Sequence, residues 1–219
     1  MSFKKFWLNT SQLVFWDNKP QKALKKKNKH YVEWFPDGKL NIFHNCININ
    51  ILRGLGNKIA IYNITKEKKI TSHTYNDLSK IVNNFSNYLV KALKNKIKKK
   101  TVIIHGSASL ETSVAMMSCA KLGIHFSVIF EDLAPEAISK RIDLIKPKLF
   151  ITRFEEERFK KKVLKKLKLK NKLDVIYIDN KKILKLNKDI VSSKYKTFAS
   201  NNDFFTLFTS GSTGDPKGI

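Results

Sequence analysis

The chain has 219 residues, of which 42% are hydrophobic, and 43 Lys+Arg stand against 18 Asp+Glu for a formal net charge of +25. That apolar share is enough for a buried core and excludes a disordered tail. Two cysteines far apart exclude a disulfide framework and a Cys-rich zinc site. No apolar run reaches the ~20 residues needed to cross a bilayer, and no secretory leader pattern opens the chain, so a soluble cytoplasmic protein without membrane contact is expected. The lysines fall in runs, Lys25–Lys27, Lys98–Lys100 and Lys160–Lys162, mixed with Asn and Ile. Such runs fit a solvated surface, and without a recognition motif they argue against nucleic acid as the partner.

Residues 3–29 carry Phe6, Trp7, Leu8, Leu13, Val14, Phe15 and Trp16, aromatics suited to packing on a larger body, before a basic helical stretch around Ala23 and Leu24. Residues 30–35 are strand-like, and Pro36-Asp37-Gly38 has the chemistry of a turn. Residues 40–52 place Ile42, Phe43, Cys46, Ile47 and Ile49 at spacings compatible with a helix, against interspersed asparagines that compete for its backbone. Cys46 and Cys119 both have apolar neighbours and are expected as buried free thiols. Residues 59–64 and 69–75 form a hairpin pattern. A helix follows, capped by Asn76 or Asp77, with Leu78, Ile81, Val82, Phe85, Leu89 and Leu93 along one face.

The alternation then becomes regular: strand 101–105, helix 110–122 stopped by Gly123, strand 124–130, helix 135–146, strand 149–152, helix 155–168 and strand 175–179. Strands alternating with helices of this length predict an α/β fold, a layered and mainly parallel sheet flanked by helices on both faces. Ligands of such sheets gather at the carboxyl ends of the strands. No repeat or linker divides the chain. A soft boundary near residue 57 separates a short α/β entry segment, 1–57, from the sheet-bearing part, 58–219.

One stretch calls for chemistry. Thr209-Ser210-Gly211-Ser212-Thr213-Gly214-Asp215-Pro216-Lys217-Gly218 follows the β-prone run Phe204-Phe205-Thr206-Leu207-Phe208, expected as a buried strand. Its glycines let backbone N–H groups approach a ligand, its hydroxyls add donors, and Lys217 adds an ammonium, which together suit a polyphosphate. The spacing is not that of a Walker loop, and composition alone leaves open a plain Ser/Gly/Thr turn between strands. Elsewhere, His105 ends a strand at a pocket-like position, and His125 is expected to be a hydrogen-bonded structural residue. Ser107 and Ser109 lack the flanking glycines of a nucleophile elbow, and no metal site is expected.

The decapeptide resembles the phosphate-loop signature of the adenylate-forming enzymes, which include acyl-CoA synthetases, luciferases and peptide-synthetase adenylation domains. Residues 31–50, Tyr-Val-Glu-Trp-Phe-Pro-Asp-Gly-Lys-Leu-Asn-Ile-Phe-His-Asn-Cys-Ile-Asn-Ile-Asn, resemble the entry segment of short-chain acyl-CoA synthetases of the acetyl and propionyl type. The run Ala115-Met-Met-Ser-Cys-Ala-Lys-Leu-Gly-Ile-His-Phe-Ser-Val-Ile-Phe130 is similar to their helix–strand core.

The resemblance implies an AMP-forming acid–CoA ligase. A short-chain carboxylate, acetate or propionate, reacts with ATP (with Mg²⁺) to give acyl-adenylate and pyrophosphate, and coenzyme A then displaces AMP. It implies that Thr209, Ser210, Gly211, Ser212, Thr213 and Gly214 hold the ATP phosphates and that Lys217 is catalytic. Arg158 and Lys161 fall on two arginine positions that hold coenzyme A in the family; lysine there supplies only a point charge. Phe130-Glu131-Asp132 stands where many relatives have Phe-Gly-Gly, which brings two carboxylates near that ligand. Relatives continue well past residue 219, so the chain is expected to be an N-terminal portion, inactive alone, its phosphate loop lacking a return strand. The alternatives are a basic nucleic-acid-binding module and a non-catalytic remnant of the ligase.

Overall fold

The N-terminal aromatics cap a group of short elements rather than a long helix. In the computed structural model, residues 2–65, 68–93, 101–155, 157, 173–186, 194–210 and 216–218 are described. Helix α1 (Phe3–Thr10) starts at Ser2, whose hydroxyl accepts from the Lys5 N–H. Strands β1 (Leu24–Lys26) and β2 (Val32–Trp34) pair antiparallel. The basic helical stretch expected around Ala23 and Leu24 is therefore a hairpin arm. The Asn28 side chain explains it, because its Oδ1 accepts from the His30 and Tyr31 N–H groups at 2.9 Å each and closes the turn, an Asx-type bond that competes with helix. The Pro36-Asp37-Gly38 turn is present, with the Gly38 N–H donating to the Phe35 carbonyl at 2.8 Å. Strand β3 (Lys39–Leu40) pairs antiparallel with the distant residues Phe198–Ala199.

Residues 42–55 wind through two π-helical turns, His44–Asn48 and Ile51–Leu55, the second kinked at Gly54, whose φ of 81° is not helical. Phe43 and Ile47 point inward and are fully buried. Cys46 is exposed, contrary to the expected buried thiol, while Cys119 is buried. Asn41 fixes this segment to the rest. Its Nδ2 contacts the carbonyls of Ala120 (3.1 Å), Lys121 (3.3 Å) and Lys196 (2.8 Å), and its Oδ1 accepts from the His44 N–H at 3.1 Å.

Strands β4 (Ile59–Ile64) and β5 (Ile70–Thr74) form the expected hairpin. Helix α2 (Tyr75–Ala92) follows, and its N-cap is Thr74 rather than Asn76 or Asp77. The Thr74 hydroxyl accepts from the Asp77 N–H, and the Asp77 carboxylate accepts from the Thr74 N–H at 3.1 Å, a reciprocal capping box. All six residues expected on its dry face are buried.

The regular part is β6 (Thr101–His105), α3 (Leu110–Leu122), β7 (His125–Ile129), α4 (Pro135–Ile145), β8 (Leu149–Thr152) and β9 (Asp174–Tyr177), then a short helix, Asn180–Lys185. Strand β10 (Phe198–Ala199) returns to β3, and β11 (Phe205–Thr206) joins the sheet. The helix expected over 155–168 lies almost wholly outside the described residues. Five described strands pair in parallel, in the order β11-β7-β6-β8-β9. Alternation along β6 explains why it is apolar throughout: Val102 and Ile104 face the layer of α2 and α3, and Ile103 faces α4 with Ile129 and Phe150. A strand covered on both faces has no polar side.

Gly123 ends α3 in the left-handed region (φ 67°), with the Phe198 ring against its α-carbon. That conformation and that approach both require glycine.

Candidate functional site

Residues just past four of the parallel strands converge on a cavity of about 480 Å³ at the carboxyl edge of the sheet. Ser107 and Ser109 follow β6, Glu131 follows β7, Arg153 follows β8 and Asn180 lies beyond β9. Gly106 makes the crossing possible, since a Cβ there would lie 2.8 Å from Thr112 Oγ1 and 3.0 Å from Arg153 Cδ.

Arg153 organises this edge. Its Nε lies 3.6 Å from Glu111 Oε2 and its Nη1 3.6 Å from Glu131 Oε2, and Nη1 donates to Ser107 Oγ at 2.5 Å. Glu111 sits in the first turn of α3 and is buried, where its charge also favours the helix N-terminus. Among the described residues the lining carries three carboxylates, Glu111, Glu131 and Glu155, against one guanidinium, Arg153. Glu131 faces inward and is held by Arg153, while Asp132 is exposed. A phosphate entering this cavity would have to displace Glu131 from Arg153. Neither Arg153 nor Glu111 stood out in the sequence, because nothing in a linear pattern says that a residue just after one strand reaches a helix start 42 positions earlier.

His105 does not line the cavity. Its ring is buried against Phe150 and Phe154, with Nδ1 3.0 Å from Thr152 Oγ1. Burial pushes its pKa down to about 4, against a smaller opposing pull from Glu131, so at neutral pH it is an uncharged core residue. His125 is structural as expected: Nε2 meets Thr206 Oγ1 at 3.0 Å and Nδ1 meets Thr101 Oγ1 at 3.4 Å, joining three neighbouring strands.

The decapeptide leaves the same edge. Beyond β11 the chain forms β12 (Phe208–Ser210), which pairs antiparallel with β13 (Pro216–Gly218). The loop therefore has a return strand, which the sequence reading did not expect; Thr209 and Lys217 are directly opposed across it. The preceding run is less buried than expected, with Phe205 and Leu207 exposed, because β11 is the edge strand of the sheet. Ser127 Oγ donates to the Thr206 carbonyl at 2.8 Å. The Arg141 guanidinium of α4 lies 5.1 Å from the Phe208 ring centroid, a cation–π contact that braces the hairpin. Thr209 and Lys217 are exposed. Gly211, Ser212, Thr213 and Gly214 lie outside the described residues, as do Arg158 and Lys161.

Comparison with known proteins matches residues 52–219 to the family described as AMP-binding enzyme and residues 2–46 to the acetyl-coenzyme A synthetase N-terminus. Acetyl-coenzyme A synthetase of Leptospira biflexa is 31% identical over 99% of this chain and 37% of its own length. The human mitochondrial acyl-CoA synthetase short-chain family member 3 is 30% identical over 99% of this chain and 34% of its own length. The chain thus spans about a third of these relatives. Among solved structures, acetoacetyl-CoA synthetase from Streptomyces lividans superposes with a TM-score of 0.80 at 15% identity, over 99% of this chain and 36% of that one. The parallel sheet with its flanking helices, the hairpin at its carboxyl edge and the match across residues 52–219 agree: this chain belongs to the AMP-binding enzyme family.

Proposed function

We propose that the chain is the N-terminal part of an AMP-forming acid–CoA ligase that activates a short-chain carboxylate, acetate or propionate. The observation that carries this reading is the β12–β13 hairpin, which sets Thr209 opposite Lys217 at the carboxyl edge of a parallel sheet. Residues 1–57 form the entry segment and residues 58–219 the first part of the AMP-binding domain, working in the cytoplasm. Thr209, Ser210, Gly211, Ser212, Thr213 and Gly214 hold the triphosphate of Mg-ATP. Lys217 spreads the charge that develops as a carboxylate oxygen attacks the α-phosphorus and the bond to pyrophosphate breaks. The sulfur of coenzyme A then attacks the acyl carbon, AMP leaves, and Arg158 with Lys161 holds the coenzyme's nucleotide. Because positioning supplies most of the rate in such chemistry, the 219 residues alone bind nucleotide without turnover.

Two measurements on the 219-residue chain test this. Acetate- or propionate-dependent exchange of labelled pyrophosphate into ATP is expected to be absent, and clear turnover refutes the inactivity. Calorimetric titration with Mg-ATP is expected to show binding that weakens about tenfold or more in Lys217→Ala, the scale of one charge-assisted phosphate contact. Unchanged affinity removes Lys217 from the site.

A further inference from the structure

The first 35 residues hold eight lysines against two acidic residues, Asp17 and Glu33. Both acids are engaged: Asp17 accepts from the Tyr195 hydroxyl at 2.7 Å, and Glu33 pairs with Lys27 at 3.0 Å. Against this cationic background α1 buries none of its residues. Phe3, Phe6 and Trp7 fall on one face of it, and Phe3 and Phe6 remain 58% and 51% exposed.

That face continues onto the β1–β2 hairpin. Trp34, 39% exposed, packs against Trp7 at 4.9 Å and Phe3 at 6.2 Å between ring centroids. The cross-strand pairs Leu24–Trp34 and Lys26–Val32 lie on the same side of the hairpin, since paired residues share a face. The result is one patch, aromatic at its centre, with Lys26 on the same side of the hairpin and Lys4 at the flank of the helical stripe.

We propose that this patch docks the chain peripherally on an anionic phospholipid surface. Aromatic rings settle at the headgroup level and lysines meet lipid phosphates, so a patch with both gains twice from one contact. The rings pack edge-on against one another. They are not splayed as separate platforms for bases, which disfavours single-stranded nucleic acid as the occupant. Among the described residues no helix is long and apolar enough to cross a membrane, so the contact is adsorption.

The test is co-sedimentation of the 219-residue chain with phosphatidylcholine vesicles, with and without about one-third phosphatidylserine, while tryptophan emission is recorded. Binding to the anionic vesicles alone, with a blue shift and a loss of affinity as salt rises, is expected. The surface change Phe3→Ser with Phe6→Ser should weaken binding about tenfold or more and abolish most of the blue shift. Lys4→Gln and Lys26→Gln together should cost about twenty-five-fold, at roughly fivefold per lysine. Circular dichroism checks that both variants stay folded. The proposal is overturned if the chain ignores anionic vesicles, or if the serine variant binds them as the parent does. It is overturned equally if polyuridylate outcompetes the vesicles, or if the patch proves to be a self-association face that the serine variant dissolves while lipid binding stays absent.

Discussion

Replacing Asn41 by alanine isolates the clamp between the N-terminal segment and the end of α3. The side chain is fully buried and its Nδ2 meets three carbonyls, at 3.1, 3.3 and 2.8 Å. Two N–H donors cannot fully serve three acceptors, so the loss is about two net hydrogen bonds at roughly 1 kcal/mol each. The His44 N–H loses its acceptor, Oδ1 at 3.1 Å, which adds about 1 kcal/mol or more for a buried donor left without its bond. The orphaned carbonyls are partly served by others: the Gly123 N–H reaches that of Ala120 at 3.4 Å, and the Lys196 N–H that of Lys121 at 3.5 Å. The sum is about 3 kcal/mol, or a melting temperature about 6–12 °C lower for a chain of this size. Urea unfolding followed by circular dichroism and tryptophan fluorescence measures it. Asn41→Asp should be worse than alanine, since it keeps the acceptor for His44 but turns a carboxylate oxygen toward three carbonyls. A cost below about 1 kcal/mol for alanine, or an aspartate variant as stable as the parent, refutes the clamp.

Three further outcomes are expected. Gly123→Ala should lose more than about 2 kcal/mol, combining a left-handed φ with a clash against Phe198. Phe198→Ala should relieve part of that, so the double mutant is less damaged than the sum; strict additivity contradicts the contact. His105 has its folded pKa depressed from 6.5 to about 4 by burial, so the unfolded chain takes up the proton first. Its contribution is intact above pH 6.5 and falls by about 3 kcal/mol as pH drops to 4; an unfolding free energy in which His105→Phe leaves that part of the pH slope unaltered rules the assignment out. Arg153→Met should cost about 1–3 kcal/mol by leaving the buried Glu111 carboxylate without its partner, and adding Glu111→Gln should recover most of it, as a thermal double-mutant cycle would reveal.

What could be foreseen followed from local rules acting alone. The consecutive apolar residues of β6 and β8, the six-residue dry face of α2 and the left-handed stop at Gly123 each declare themselves within a few positions, and together they fix a parallel, two-sided sheet. The failures came where two local rules competed. Lys25 to Lys27 favour helix, yet an Asn28 side chain one turn later commits the segment to a hairpin. Thr74 looked like the end of a strand and is also the cap of α2, because its partner in the capping box is Asp77 where glutamate or glutamine is usual. Cys46 sits at a plausible helical core position, but the π-helical winding brings Phe43 and Ile47 inward and leaves it exposed. At the site, the decapeptide was conspicuous through its composition. The Arg153 network was not, since its members come from three strand ends and one helix start that only the folded sheet brings together.

Among the described residues the β12–β13 hairpin joins the sheet through the short run 204–206, in which Phe205 and Thr206 pair with Phe126 and Ser127 and the Phe204 carbonyl accepts from the Phe126 N–H at 3.3 Å. It is also braced by α4, whose Arg141 guanidinium lies over Phe208. It is mounted like a pointer on a narrow pivot, with α4 as the stop that sets its bearing. A substitution at Arg141 on α4 therefore loosens Phe208, and with it the β12–β13 pair, without touching either strand.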